Sequence, residues 1–330
     1  MNIWEKMLNV DRRWIFLLIG IACVVPFFNP LGLPILPSAE VMGIYDHIEG
    51  LGPDNAIIVS FDFEPGTAAE NQPMSVAALR HAFARNIPVY VTSYWPLGQA
   101  MAAMAISELT DESLEDYFKY VEWEDWASIR DQGIVDRAGI EEAWTAEGNT
   151  LPENARGWVF EGRDIAFLGY LPYFHLVILG MTSSIASQFP TDVSGTPLEE
   201  MPIYQDHKSL RDIDLAVTSA GGSACVSWIT YGREKIGLPI AFGVTAVMAT
   251  DYYIFIQSGQ IVGQMGGLRG AAEYEVLLKE NGYNKGYGKA FIGMDVQNIA
   301  HLLIIFLVVL GNIAFFAGGF HKKTKLKGRR

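Results

Sequence analysis

Apolar residues fall into two kinds of stretch along this chain. At the two ends they run on almost without interruption. Between the ends they come in short β-rich runs, each closed by a polar or glycine turn and followed by a longer, more mixed segment. The longest run is Ile299 to Phe320, which carries no formal charge and stops at His321-Lys322-Lys323. As a helix it is long enough for the ~30 Å hydrocarbon core of a bilayer. A second run, Trp14 to Leu33, lies near the other end. The pattern predicts residues 14–33 and 299–320 as transmembrane helices and residues 34–298 as one domain between them.

Within that domain the runs Ala56 to Phe63, Pro88 to Trp95, Asp164 to Tyr170, Leu176 to Met181, Leu215 to Ala220 and Pro239 to Ala246 read as strands. Nearly continuous apolar strands alternating with helices predict a parallel sheet covered on both faces. The expected fold class is therefore α/β: a Rossmann-like, mostly parallel sheet, flanked by one transmembrane helix at each end. Val41 to Leu51, Met74 to Ala84 and Gln99 to Glu108 read as helices. Residues 110–163 interrupt the alternation as an acidic helical insertion carrying Trp123, Trp126, Trp144 and Trp158. Pro190 to Asp212 is a second excursion, of the kind that builds or covers sites after strands. Ser258 to Lys279 reads as a helix on which Gly259, Gly263 and Gly267 recur every fourth residue. Such a row predicts a close backbone approach, inside the fold or in self-association. Leu238 to Leu268 is nearly free of charge and offers the alternative of a further membrane segment.

Charge orients this picture. The net charge of the 330 residues is −13, yet Lys322, Lys323, Lys325, Lys327, Arg329 and Arg330 make the last residues basic. Lys6, Arg12 and Arg13 flank the first span. Short Lys/Arg-rich flanks stay cytoplasmic. Residues 1–13 and the basic tail 321–330 are thus expected in the cytoplasm and the α/β domain outside, at the cell membrane. The acidic domain argues against nucleic acid as a partner, because phosphates call for basic surface. Membrane lipid, a second copy of the chain and other membrane proteins are the expected partners. Cys23 and Cys225 fall in different segments and support no disulfide framework.

Candidate chemistry sits where parallel sheets bind ligands, beyond the carboxyl ends of the strands. Those positions hold Asp62, Glu64 and Thr67, then Ser93, then Thr182, Ser183 and Ser184, then Ser219, Gly221, Gly222 and Ser223. Hydroxyls donate or accept, and glycines let backbone amides approach. Together they suit a polar small molecule. Asp62 and Glu64 alternate on a strand and would share one face. Two carboxylates do not define a metal site, and no cofactor is indicated by spacing. The turn from Ser219 to Ser223 lacks the G-x-G-x-x-G spacing, and no G-x-S-x-G elbow, H-E-x-x-H or P-loop is present. The expectation is a membrane-anchored binding or sensing module for a small molecule or partner. The alternatives are a hydrolase using a strand-end serine or the Asp62/Glu64 pair, and an oligomeric scaffold.

Overall fold

A computed structural model describes residues 9–120, 162–284 and 286–327, together with positions 146 and 148. Side chains are described through 109 on the helix that ends the first stretch and through 317 on the last helix. Residues 110–120 of the acidic insertion expected at 110–163 continue the helix Gly98–Tyr120, and most of the rest, including its four tryptophans, lies outside the described residues. The chain divides into two compact units, Leu36–Tyr287 and the paired ends Met1–Ile35 with Gly288–Arg330.

The larger unit is built on a six-stranded sheet in the order β3-β2-β1-β4-β5-β6, every pairing parallel. The strands are β1 (Ile57–Asp62), β2 (Val89–Ser93), β3 (Ile165–Tyr170), β4 (Leu215–Ala220), β5 (Ile240–Val244) and β6 (Gly263–Gly266). β1, β2, β4 and β5 are buried at every position, as strands covered on both faces must be. This order places β1 and β4 side by side at the centre, where the chain switches from building leftwards to building rightwards. The expected α/β, Rossmann-like parallel sheet is what forms.

Helices cover both faces. α1 (Arg12–Phe28) belongs to the end unit. In the larger unit come α2 (Ala39–Glu49), α3 (Ala68–Ala84), α4 (Gly98–Tyr120), α5 (Phe174–Met181), α6 (Pro202–Asp206) and α7 (Ala224–Trp228). α7 runs on through a π turn, Ile229–Arg233, into α8 (Glu234–Ile236). α9 (Ala246–Gln257) and α10 (Gly267–Glu280) complete it, and α11 (Lys289–Lys327) returns to the end unit. One face of the sheet buries Ile58, Tyr90, Ala216 and Phe242 with Val177 and Ile178 of α5 and Trp228 of α7. On the other face α3 lays Met74 against β4 and β5, so closely that a Cβ on Gly243 would lie 3.1 Å from the Met74 sulfur. His81 of α3 is fully buried there. It is stacked on Tyr45 at 4.5 Å and bonded to the Tyr274 hydroxyl at 2.8 Å and to Glu49 at 2.9 Å, which ties α2, α3 and α10 together.

Three expectations are corrected. Leu176 to Met181 is not a strand but most of α5. Phe174, Val177, Ile178 and Met181 follow helical spacing, and the last three are buried while Leu176 is exposed. A short apolar run fits either period, and here the stripe decides. Ser258 to Lys279 is not one helix either: it is a turn, the edge strand β6 and α10. Gly263 is needed because α2 packs directly on β6, where a Cβ would collide with the Glu40 carbonyl oxygen. Gly43 faces the Val262 carbonyl oxygen in the same way. Gly263 and Gly267 therefore serve contacts inside the chain, Gly259 takes a turn at φ +70, and the three do not share one helical face. Leu238 to Leu268 folds as β5-α9-β6, which rules out one continuous span there. The excursion Pro190 to Asp212 follows α5, a helix, and covers a strand edge. Val193 N–H donates to the Phe167 carbonyl at 2.9 Å and shields the β3 edge.

The end unit pairs α1 with α11. Lys289–Ala317 is long and apolar enough to cross a membrane, with mean hydropathy 2.6 over its most apolar window. The helix thus begins about one heptad and a half before the expected Ile299. α1 has 17 residues, roughly 26 Å of helix, which is short of a full ~30 Å crossing. Asp295 joins the two segments by accepting the Gly32 N–H at 3.0 Å. Asn312 donates to the Val308 carbonyl of its own helix at 2.9 Å and makes no bridge to α1.

Candidate functional site

The carboxyl ends of β2, β1 and β4 lie next to one another, so the candidates on these strands do meet. Asp62 is the last residue of β1 and is buried. Its carboxylate accepts the Ser60 hydroxyl at 2.8 Å, the Thr218 hydroxyl at 3.0 Å and the Tyr94 N–H at 2.8 Å. One side chain thereby joins β1, β4 and the residue after β2. Burial pushes its pKa from the ordinary 3.8 up to about 6; the Tyr94, Ser60 and Thr218 bonds, with a weaker pull from the Trp228 indole, oppose that rise. Ser93 has a matching role. Its hydroxyl lies 2.6 Å from the Phe61 carbonyl and 2.7 Å from the Trp95 carbonyl, and it accepts the Trp95 N–H at 3.1 Å. Both residues brace the strand ends.

The groups that face outward are different ones. Past β1 the chain turns through Glu64, Pro65 and Gly66, all exposed, to Thr67 ahead of α3. Past β4 it turns through Gly221, Gly222 and Ser223 ahead of α7. The two turns touch: a Cβ on Gly221 would sit 2.9 Å from the Thr67 hydroxyl oxygen and 3.1 Å from its methyl. Around them the loops are pinned. The Tyr252 hydroxyl donates to the Gly222 carbonyl at 3.1 Å. Glu70 accepts the Ala246 N–H at 2.8 Å, capping α9. The result is a shallow cradle of hydroxyls and backbone at the β1/β4 switch point. Glu64 lies in the first turn and Glu70 beside Ala246, and neither turn nor the first turn of α9 carries a lysine or arginine.

Other candidates are not part of it. Glu64 lies beyond the end of β1, exposed, so it does not share a strand face with Asp62 and the two form no carboxylate pair. Thr182, Ser183 and Ser184 follow a helix, not a strand. Thr182 donates to the Leu179 carbonyl at 2.7 Å, Ser184 bonds the Tyr204 hydroxyl at 3.2 Å, and Ser183 is exposed. Ser219 points to the opposite face from Asp62, buried beside Met74, and its hydroxyl has no partner among the described residues. None of these serines bonds a histidine among the described residues. Cys225 lies under the Gly221 turn, and burial pushes its thiol far above the ordinary range, with Asp62 adding to the rise. Among the described residues no three of His, Cys, Asp or Glu gather as a metal site. Thr218, Tyr94 and Trp228, which surround Asp62, were hidden in apolar runs; the only trace was the alternation Ser60, Asp62 on a strand otherwise apolar.

No family model, curated protein or solved structure matches the chain.

Proposed function

We infer that the protein is a membrane-held binding module whose α/β domain takes a small polar ligand at the β1/β4 switch point. The observation that carries this reading is the contact of the Thr67 turn with the Gly221-Gly222-Ser223 turn over the buried Asp62 brace. Ligands of open parallel sheets bind at that place. The charge of the cradle narrows the class. Carboxylates without a basic side chain on these turns, among the described residues, disfavour phosphates and favour a neutral polyhydroxy compound or an amine. The hydrolase reading has less support, because neither the strand-end serines nor Asp62 sits beside a partner that would activate it.

Anchoring belongs to the same proposal. α11 crosses the membrane, α1 crosses beside it with its span completed by residues 29–33, and the basic flanks keep both ends in the cytoplasm, leaving the domain outside. Lipid is then the permanent partner, and membrane proteins or a second copy are further ones.

The test is native mass spectrometry of the full chain released gently from its membrane in mild detergent. The parent is expected to retain a small neutral or cationic molecule, and Gly221→Val, which drives a side chain into Thr67, is expected to lose it. A parent that flies bare from every detergent, or a mass retained equally by the variant, overturns the reading.

A further inference from the structure

At the far edge of the sheet, away from the switch point in strand order, lies a groove of about 540 Å³. It is lined by the start of α2, the middle of α9, the end of β6 and the first turns of α10. Its size is within the range of small-molecule sites. Three features give it a chemistry.

The first is anionic recognition. β6 ends in Gly266-Gly267 and opens directly into α10, with Gly267 in the left-handed region at φ +62. Gly270 lets the helix lie against the strand, since a Cβ there would come within 2.8 Å of the Met265 backbone. No side chain caps α10 at Gly266 and its first turn holds no carboxylate. Ala246 packs on Gly267, and the groove meets the positive end of the helix at Gly266, Arg269 and Gly270. Beside it stands Arg269, whose side chain is 69% exposed and is held by one bond, Nε to Glu273 at 2.8 Å. That leaves the guanidinium fork to the groove.

The second is an unanswered acceptor. Gln264 is only 6% exposed, and its amide nitrogen donates to the Ala249 carbonyl at 3.0 Å. That bond fixes the amide's orientation, and the oxygen is left buried without a partner among the described residues. A buried unpaired carbonyl is costly, and a ligand N–H or O–H would answer it. The third is Glu40, which lines the same groove beside Tyr253. Glu273 is already committed, accepting the Ser38 N–H at 2.9 Å and hydroxyl at 2.6 Å besides Arg269.

We propose that this groove binds a phosphate ester bearing a primary ammonium group, with the phosphate on the α10 N-terminus and Arg269 and the ammonium on Gln264 Oε1 and Glu40. A phosphate has enough oxygens to serve the helix amides and the guanidinium at once. The ammonium supplies the donor that Gln264 lacks and the charge that Glu40 opposes. The same chemistry belongs to a free phosphoethanolamine and to the headgroup of phosphatidylethanolamine.

The test titrates the full chain in detergent with O-phosphoethanolamine, O-phosphocholine and inorganic phosphate. O-phosphoethanolamine is expected to bind at least about tenfold more tightly than the other two, because a trimethylated nitrogen has no N–H to give and phosphate has no cation. Arg269→Gln, which leaves the buried Glu273 its two bonds from Ser38, and Gln264→Leu are each expected to weaken it about tenfold. Thermal melts of both variants verify that they fold. Equal binding of O-phosphocholine, no binding of O-phosphoethanolamine, or indifference to Arg269→Gln overturns the proposal. Repeating the titration in nanodiscs separates the sources. If lipid occupies the groove, discs containing phosphatidylethanolamine suppress binding that phosphatidylcholine discs allow; equal binding in both assigns the groove to the free compound. Gly221→Val is expected to leave these titrations unchanged, so this site and the switch-point site stand or fall separately.

Discussion

Asp62 is a carboxylate whose role its neighbours decide. In sequence it is one acidic residue at the end of a strand; in the fold it accepts three hydrogen bonds in a place almost without water. The native state prefers its protonated form, so its pKa rises from 3.8 to about 6. A raised folded-state pKa gives stability that is whole below 3.8 and is lost as the pH climbs through 6. A shift of that size corresponds to about 3 kcal/mol. Relative to the parent, Asp62→Asn is expected to gain about that much stability as the pH rises across this window and nothing further above it. Chemical denaturation of both proteins at several pH values measures this, and parallel curves would remove the brace its proposed titration. His81 acts in the opposite direction. Burial lowers its pKa against the pull of Glu49, so stability present above the ordinary 6.5 falls as acid charges it. The comparison with Asp62→Asn cancels that common contribution. Cys225 yields a second prediction at this scale. With its thiol raised and fully buried, it is expected to react with iodoacetamide only after unfolding, and rapid native labelling of Cys225 in a Cys23→Ser background would contradict its placement.

At the scale of elements, periodicity foretold most of the fold and failed where contacts with other elements override it. β1, β2, β3, β4 and β5 were legible because apolar β-branched and aromatic runs closed by turns have few other solutions. α5 was misread because a short run such as Leu176 to Met181 satisfies both periods until its buried stripe is known. β6 was invisible: Gly263-Gln264-Met265-Gly266 has no strand propensity and becomes a strand by pairing with β5 while α2 lies on top. That close approach predicts a sharp contrast. Gly263→Ala is expected to destabilise the chain by about 3 kcal/mol, through collision with the Glu40 carbonyl. Gly52→Ala, with open space around it, is expected to change stability by less than about 0.5 kcal/mol. Equal midpoint shifts in urea would mean that α2 does not rest on β6.

At the scale of the molecule, α11 is the element long and apolar enough for a membrane, and its side chains between Leu302 and Phe316 are largely exposed. An exposed apolar surface of that length calls for lipid or a partner. A crossing by α11 with the domain outside predicts opposite labelling in intact cells. A cysteine placed at the exposed Ser183 is expected to react with a membrane-impermeant thiol reagent, and one placed at Lys322 is expected to react only after lysis. The reverse pattern would turn the protein over, and labelling at both sites would mean that α11 does not cross.

From the sequence alone came the α/β class, the alternation that makes the sheet parallel, the apolar C-terminal helix and the candidates at the ends of β1 and β4. These are local properties, written in periodicity, turn residues and the length of an apolar run. The tertiary structure decided which candidates meet, which merely brace, and where a groove opens. Asp62 and Ser93 turned inward because strand ends β2, β1 and β4 are neighbours, and Thr67 met Gly221 across a gap of more than one hundred and fifty residues for the same reason. Gln264 lost a hydrogen-bond partner only because β6, α9 and α10 converge around it. Such relations depend on strand order and helix packing, which periodicity along the chain does not encode.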